Sequence, residues 1–535
     1  MCGIFALYKG TLLPYMPCFH STKHRGPDNS KLRMVAPNIN FGFHRLSING
    51  LDRVSDQPLQ LYDKVLICNG EIYNYKQLAE KYDFSLKTHS DCEIIIHLYK
   101  KFGIEDTCKL LDGVFSFALY DFTTKQLYAA RDPIGIRALY YGYSGDGSVS
   151  LCSEMKGLAP SAQVSQFPPG TYTEITSSTS TPISSLPLTF TPYYNYNWTP
   201  IIYEPSQLPI IYSNIRSLFI DAVKKRTMSD RRICSLLSGG LDSTLTTYVL
   251  AKHTSLNAVS INTYAIGLEE SVDLKYAKIA GDVIGTNHHT IVVTEKQFLD
   301  AIEKTIVQIE SYCVTSVRAS TGNFLVSLAI ADCADGDTVV FCGDLSDEIF
   351  GSYRGFMKAP TPQQFFEENV EMLKNVHYFD VLRSDKSISG AGLEARVPFA
   401  DKAFVDYVMT LDPTLKMFNN EDRMEKYILR KAFDGELPDE LLWRRKEAFS
   451  DGVSGMERSW FQIIQEHVDK LIPDDQFEER RAKYSYNPPT DKESLWYREL
   501  FEKHYPGRAK TIPFMWKHPF HDSTADPSAR LLDCY

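Results

Sequence analysis

The sequence predicts two folds in succession: an α+β domain with antiparallel sheets, then an α/β domain on a parallel sheet with a helical C-terminal part. Three observations carry this. Up to about Gly170, short strand-like runs outnumber helical segments. From about Ile210, strand-like and helical segments alternate. Between them, Thr171 to Pro209 is rich in Ser, Thr, Pro and Tyr and poor in charge, with no helical period.

In the first part, Lys64–Cys68, Val114–Asp121 and Gln126–Arg131 read as strands, and Tyr75–Lys81 and Asp91–Phe102 as helices. In the second, Ile233–Leu237, Ala258–Ala265, His289–Val293 and Thr338–Cys342 read as strands, with helices at Ser243–Lys252 and Leu274–Ile284. Connections of that length are crossovers, which make neighbouring strands parallel. After about Gln363 the segments are mainly helical, and the end from about Pro506 is Pro-rich. The expected division is a first domain over 2–185, a linker over 186–209, a second domain over 210–515 and a tail over 516–535.

The chain has 535 residues, long enough for each domain to bury its own core. Its 57 basic and 67 acidic side chains give a net charge of -10 without a long block of either sign, which argues against a nucleic-acid partner. The 11 cysteines are scattered from Cys2 to Cys534 with no C-x-x-C pair, so neither a disulfide framework nor a zinc site is expected. The apolar start, Ile4 to Leu7, is broken by Lys9, Gly10, Pro14 and Pro17 before a signal core forms. Apolar runs such as Phe324 to Ala331 are too short to cross a bilayer. A soluble, cytoplasmic protein is expected.

Two constellations carry chemistry. The chain begins Met1-Cys2-Gly3-Ile4, and a small second residue permits removal of the initiator methionine. Cys2 then holds a thiol beside a free α-amine, which titrates near neutrality and serves as the thiol's base. Alone, this signal is outweighed by the plainer reading of a packed cysteine. It is accompanied by Lys23-His24-Arg25-Gly26-Pro27-Asp28, His44-Arg45-Leu46-Ser47-Ile48, Asn69-Gly70-Glu71-Ile72-Tyr73-Asn74 and Ser90-Asp91-Cys92-Glu93. In that order and spacing the set resembles the class II, or N-terminal nucleophile, glutamine amidotransferases. The resemblance assigns the oxyanion donors to the Asn69 side chain and Gly70 N–H. It assigns the glutamine carboxylate to Arg45 and its ammonium to Asp91, with Glu71 nearby. Asn69-Gly70 also suits a hairpin turn, which is compatible with that role.

The second is Ser238-Gly239-Gly240-Leu241-Asp242-Ser243, after an apolar strand and before a helix. Glycines let N–H groups converge on an anion, and the helix N-terminus adds partial positive charge. No Walker A sequence occurs. The loop resembles the S-G-G-x-D-S signature of the ATP pyrophosphatases, with Leu237 and Gly267 expected beside the nucleotide. Gly343-Asp344-Leu345-Ser346-Asp347-Glu348 follows another expected strand, where ligands of open α/β sheets collect. Asp242 and Asp347 suit Mg²⁺, although Asp347 also suits a helix cap.

With Thr315-Ser316-Val317-Arg318-Ala319-Ser320, Asp380-Val381-Leu382-Arg383, Gly392 to Phe399 and Arg445 to Gly452 added, the chain resembles the glutamine-hydrolysing asparagine synthetases nearly end to end. That resemblance implies ATP, aspartate and glutamine as substrates and a β-aspartyl-adenylate. It places Lys446 and Arg318 near phosphate, Asp380 and Arg383 near the amino acid, and Asp344 at proton transfer. It also implies ammonia passing between two sites, in the unprotonated form that alone can attack an adenylate; a homodimer is compatible with it. Three departures stand out: Asp344 where relatives carry Glu, Leu345 where they carry Gly, and Ala6 for a glycine near the nucleophile. Ser316 stands where a second threonine is common. A relative of the same build, β-lactam synthetase, dispenses with the cysteine nucleophile that Cys2 retains.

Overall fold

A computed structural model describes residues 1–175, 188–256, 261–419, 421–447, 449–455 and 457–520. The last ten residues expected in the first domain (176–185), the start of the linker (186–187), the start of the Ala258–Ala265 strand and most of the tail (521–535) lie outside the described residues. The chain forms two units. The first comprises Met1–Tyr196, Met228–Arg231 and Ser389–Glu394; the second comprises the remainder.

The strands of the first unit are β1 (Gly3–Tyr8), β2 (Asn29–Ala36), β3 (Ile39–Arg45), β4 (Leu59–Leu61), β5 (Lys64–Ile72), β6 (Gly113–Asp121), β7 (Gln126–Arg131), β8 (Tyr140–Tyr143), β9 (Val149–Cys152), β10 (Gln163–Gln166), β11 (Thr171–Ile175) and β12 (Phe190–Pro192). Among the described residues they make two six-stranded sheets, ordered β10-β8-β9-β1-β3-β2 and β12-β11-β7-β6-β5-β4. Neighbouring strands run antiparallel, as in β1 against β3 and β5 against β6.

On β5 the side chains alternate between two cores, as the two-residue period of a strand requires. Val65 and Ile67 join Ile4, Ala6, Phe41 and Phe43 between the sheets. Leu66 and Cys68 join Leu78, Ile95 and Leu98 beneath the helices Tyr75–Tyr82 and Ile94–Leu110. Burial on both faces explains the continuous apolar run of this strand. The helix expected over Asp91–Phe102 starts with a 3-10 turn, Asp91–Glu93, and loses helical geometry at Gly103 (φ +80°) before continuing.

The second unit holds β13 (Arg232–Leu236), β14 (Asn262–Gly267), β15 (Asn287–Val292), β16 (Asp337–Phe341) and β17 (Glu394–Arg396), ordered β15-β14-β13-β16-β17. β17 begins in the first unit's last segment, at Glu394. The pairs β13–β14, β13–β16 and β14–β15 are parallel. Leu237, expected in the strand, lies just beyond β13, with its N–H donating to Tyr264 O at 2.9 Å. The helix after it starts at Leu241, two residues earlier than expected, because Gly240 is already extended at the N-cap. β13 and β16 therefore deliver the 238–243 loop and the 343–348 segment to the same carboxyl edge.

Candidate active sites

In the first unit, Cys2 precedes β1, and Arg25 Nε donates to its carbonyl at 3.0 Å. Its thiol sits against Leu46: Sγ lies 3.5 Å from the Leu46 carbonyl and accepts from the Leu46 N–H at 3.4 Å. Met1 is buried, and its amine donates to Leu393 O at 2.7 Å. Burial pushes the Cys2 thiol up to about 12 and that amine down to about 5. With Met1 in place, Cys2 has an amide nitrogen and no adjacent base.

Asn69 is 1% exposed, and neither its amide nitrogen nor its oxygen has a protein partner. A buried amide left unsatisfied is costly, which suits a group awaiting a ligand oxygen. Gly70 is required sterically, since a Cβ there would lie 2.2 Å from Val114 O. Glu71 accepts from Asn49, and Asp91 accepts from the Ile72 N–H at 2.6 Å. Their charges act on a common neighbour, the Tyr75 phenol, and that of Glu71 also on the Cys2 thiol.

Arg45 donates to Asp52 O at 2.7 Å, Asp56 Oδ1 at 2.6 Å and Gly50 O. These bonds use three of its N–H groups and orient the guanidinium, leaving others for a carboxylate. Cys2, Glu71 and Asp91 thus share one neighbourhood, and Arg45 adjoins Leu46, which touches the thiol.

In the second unit a cavity of about 210 Å³ is lined by Leu237, Ser238, Gly240, Leu241, Asp242 and Ser243 from the loop, together with Asp344, Asp347, Asp380, Arg383 and Lys446. The loop is pre-formed by its own hydroxyls. Ser243 Oγ accepts from the Ser238 N–H at 3.2 Å, and Ser238 Oγ accepts from the Gly240 N–H at 3.4 Å. Gly239 has φ +74°, and a Cβ there would meet the Tyr276 backbone at 2.4 Å. Gly267 closes β14 against Ser271 and does not line the cavity; a Cβ there would lie 2.5 Å from Ser271 Oγ.

The carboxylates of Asp242 and Asp347 meet on one ammonium. Lys426 Nζ lies 2.5 Å from Asp242 Oδ2 and 2.6 Å from Asp347 Oδ1, and Lys446 also pairs with Asp347. Ser346 Oγ donates to Asp242 Oδ1 at 2.8 Å. Burial raises the Asp347 carboxyl, but the two lysines outweigh it and hold the group well below the usual carboxylate range. Two hard oxygen donors around a cation fit Mg²⁺. Among the described residues no group of three or more His, Cys, Asp or Glu is placed to hold a metal ion, so phosphate oxygens and water would complete such a shell.

Arg383 forks between Asp344 Oδ1 (2.7 Å) and Asp380 Oδ1 (3.3 Å), and Ser384 donates to Asp344. Tyr353 Oη donates to Asp380 at 2.8 Å. Arg318 corrects the sequence expectation: it does not line the cavity. It lies in the buried helix Val314–Asp332, and its guanidinium is turned onto Glu493 in two bonds of 2.8 and 2.6 Å. The sequence reading missed Lys426, Tyr353 and Arg444, all in the cavity wall. Arg444 donates to Asp273 at 2.9 Å and lies over the Tyr276 ring. Only Arg444 had a visible signal, adjoining the Arg445–Gly452 motif.

Comparison with known proteins covers the whole chain. Residues 1–180 match the glutamine amidotransferase domain family, and residues 214–371 and 358–523 match the asparagine synthase family. The chain is 40% identical to the glutamine-hydrolysing asparagine synthetase of Gallus gallus, over 100% of this chain and 99% of that protein. The corresponding proteins of Mus musculus and Homo sapiens are 39% and 38% identical over the same shares. With both domain families matched and full-length identity of this order, the chain belongs to the glutamine-hydrolysing asparagine synthetase family.

Proposed function

We propose that the chain is a carbon–nitrogen ligase converting ATP, L-aspartate, L-glutamine and water to AMP, diphosphate, L-asparagine and L-glutamate. After loss of Met1, the Cys2 amine takes the thiol's proton, and the thiolate attacks the glutamine side-chain carbonyl. Asn69 Nδ2 and the Gly70 N–H receive the oxyanion. The amine returns the proton to the departing ammonia, and water then hydrolyses the thioester to glutamate. Arg45 and Asp91, with Glu71, hold the two charges of the amino acid.

In the second unit a β-carboxylate oxygen of aspartate attacks the α-phosphorus of ATP, and diphosphate leaves. The 238–243 loop cradles the departing diphosphate, while Lys426 and Lys446 neutralise its charge. Asp242 and Asp347 would hold Mg²⁺, which supplies further charge neutralisation there. Ammonia then adds to the β-carbonyl carbon of the adenylate and AMP leaves, with Asp344 beside the proton transfer and Asp380 and Arg383 near the amino acid. Ammonium has no lone pair for this step, so ammonia must arrive unprotonated.

What supports this reading most is the convergence of Asp242, Asp347, Lys426 and Lys446 at the carboxyl edge of the parallel sheet beside the loop. No helix among the described residues is long and apolar enough to cross a membrane. We place the protein in the cytoplasm, acting as a homodimer on small molecules. Incubation with aspartate, glutamine and Mg-ATP tests the reading. Asparagine with equimolar AMP supports it; AMP formed only with another carboxylic acid, or no turnover, refutes it.

A further inference from the structure

We infer that Lys426 is a built-in counter-cation that keeps the Asp242–Asp347 pair closed to free divalent metal, so that metal enters this site only together with ATP. The inference rests on the ATP site proposed above and concerns the order in which that site fills.

Before any ligand arrives, two carboxylates, Asp242 and Asp347, already face two ammonium groups, Lys426 and Lys446. Lys446 reaches only Asp347, whereas Lys426 bridges both acids from a side chain that is 2% exposed. The remaining contacts reinforce the closure, with Ser346 donating to Asp242 at 2.8 Å and Ser352 to Asp347 at 2.5 Å. A bare divalent ion would have to displace the ammonium from both carboxylates and then lie beside that positive charge at close range. A nucleotide changes this, because its phosphate oxygens give Lys426 another anionic partner as the carboxylates are taken over.

The backbone holds Lys426 in that position. Its φ is +57°, a left-handed conformation a lysine rarely adopts, and such outliers persist where the surroundings over-determine them at a functional position. Arg430 supplies the constraint. Its Nε donates to Glu425 O at 2.9 Å and its Nη1 to Leu442 O and Arg444 O at 2.5 and 3.0 Å, tying the Lys426 turn to the segment that leads to Lys446. An ammonium that served only as general surface charge would not need this frame.

Mn²⁺ binding, followed by the enhanced water-proton relaxation of protein-bound metal against protein-free Mn²⁺ and Mn-ATP, tests the inference without turnover. Wild-type protein, Lys426→Met, and Lys426→Met combined with Asp242→Asn are titrated with Mn²⁺ alone and with Mn²⁺ plus ATP. Lys426→Gln is the substitute if the methionine variant does not fold. Wild type is expected to take up Mn²⁺ at this site only with ATP. Lys426→Met should bind nucleotide-free Mn²⁺ at least about tenfold more tightly than wild type. The added Asp242→Asn should erase that gain, which locates it. Equal nucleotide-free binding by wild type and Lys426→Met overturns the inference and leaves the ATP site standing. Failure of wild type to take up Mn²⁺ even with ATP overturns both.

Discussion

Arg383 donates through Nη2 to Asp344 at 2.7 Å, so the acid after Gly343 is held by a buried guanidinium. Ser384 donates to its second oxygen, and the short side chain is fully engaged. Asp344→Ala should leave diphosphate release largely intact while asparagine formed per diphosphate falls by about a hundredfold, the usual scale of a lost proton-transfer group. Parallel assays of both products check this. Equal losses of the two would assign Asp344 to adenylation.

The Cys2 thiol lies against the Leu46 backbone and is pushed up to about 12 by burial while Met1 precedes it. A preparation retaining Met1 should therefore behave like Cys2→Ala. Both should lose glutamine-dependent synthesis by more than about a hundredfold yet keep synthesis from ammonium salts. Intact mass identifies the processed fraction, which should scale with glutaminase turnover. Glutaminase activity in chains that retain Met1 would remove the α-amine from the mechanism.

Arg318 and Glu493 are both about 3% exposed and bound through two N–H groups. Removing one partner strands a buried charge, so Glu493→Gln should destabilise the fold by about 3–5 kcal/mol, read by denaturant unfolding. Arg318→Met should lower stability with KM for ATP unchanged. A raised KM at unchanged stability would return Arg318 to the phosphate site.

Lys416 is 2% exposed and donates to Ile349 O at 3.1 Å and Asn369 Oδ1 at 2.6 Å. Burial pushes it down to about 7. An unfolded lysine titrates at about 10.4, so between these values the unfolded chain binds the extra proton and folding is favoured as pH rises. Below about pH 7 both states are charged and the folded protein bears the full burial cost. Wild type should gain on Lys416→Met by up to about 1.4 kcal/mol per pH unit across that window. Paired unfolding curves at neutral and alkaline pH measure it, and a constant difference would contradict it.

The parts legible in the sequence are those whose chemistry depends on local order. The 238–243 loop needs its glycines and serines within one turn, and Asn69-Gly70 needs a glycine where β6 presses close, so the pattern and the contact coincide. Lys426 escaped because a lysine within a mainly helical stretch has no local signature; its left-handed backbone and its two carboxylates appear only in the fold. Arg318 was misplaced for a related reason. An arginine reads the same whether it meets a phosphate or an acid, and its partner Glu493 lies 175 residues away. Leu345 shows the reverse. It adopts a left-handed conformation (φ +76°) that suits a glycine, with its side chain buried in the cavity wall.

Nitrogen freed from glutamine is captured by an acyl adenylate. Turnover with heavy nitrogen in the glutamine amide and heavy oxygen in the aspartate β-carboxylate tests it in one mass-spectrometric measurement of products. Heavy nitrogen is expected in the asparagine amide and one heavy oxygen in the phosphate of AMP. Heavy oxygen in free phosphate, with ADP formed in place of AMP, would contradict it.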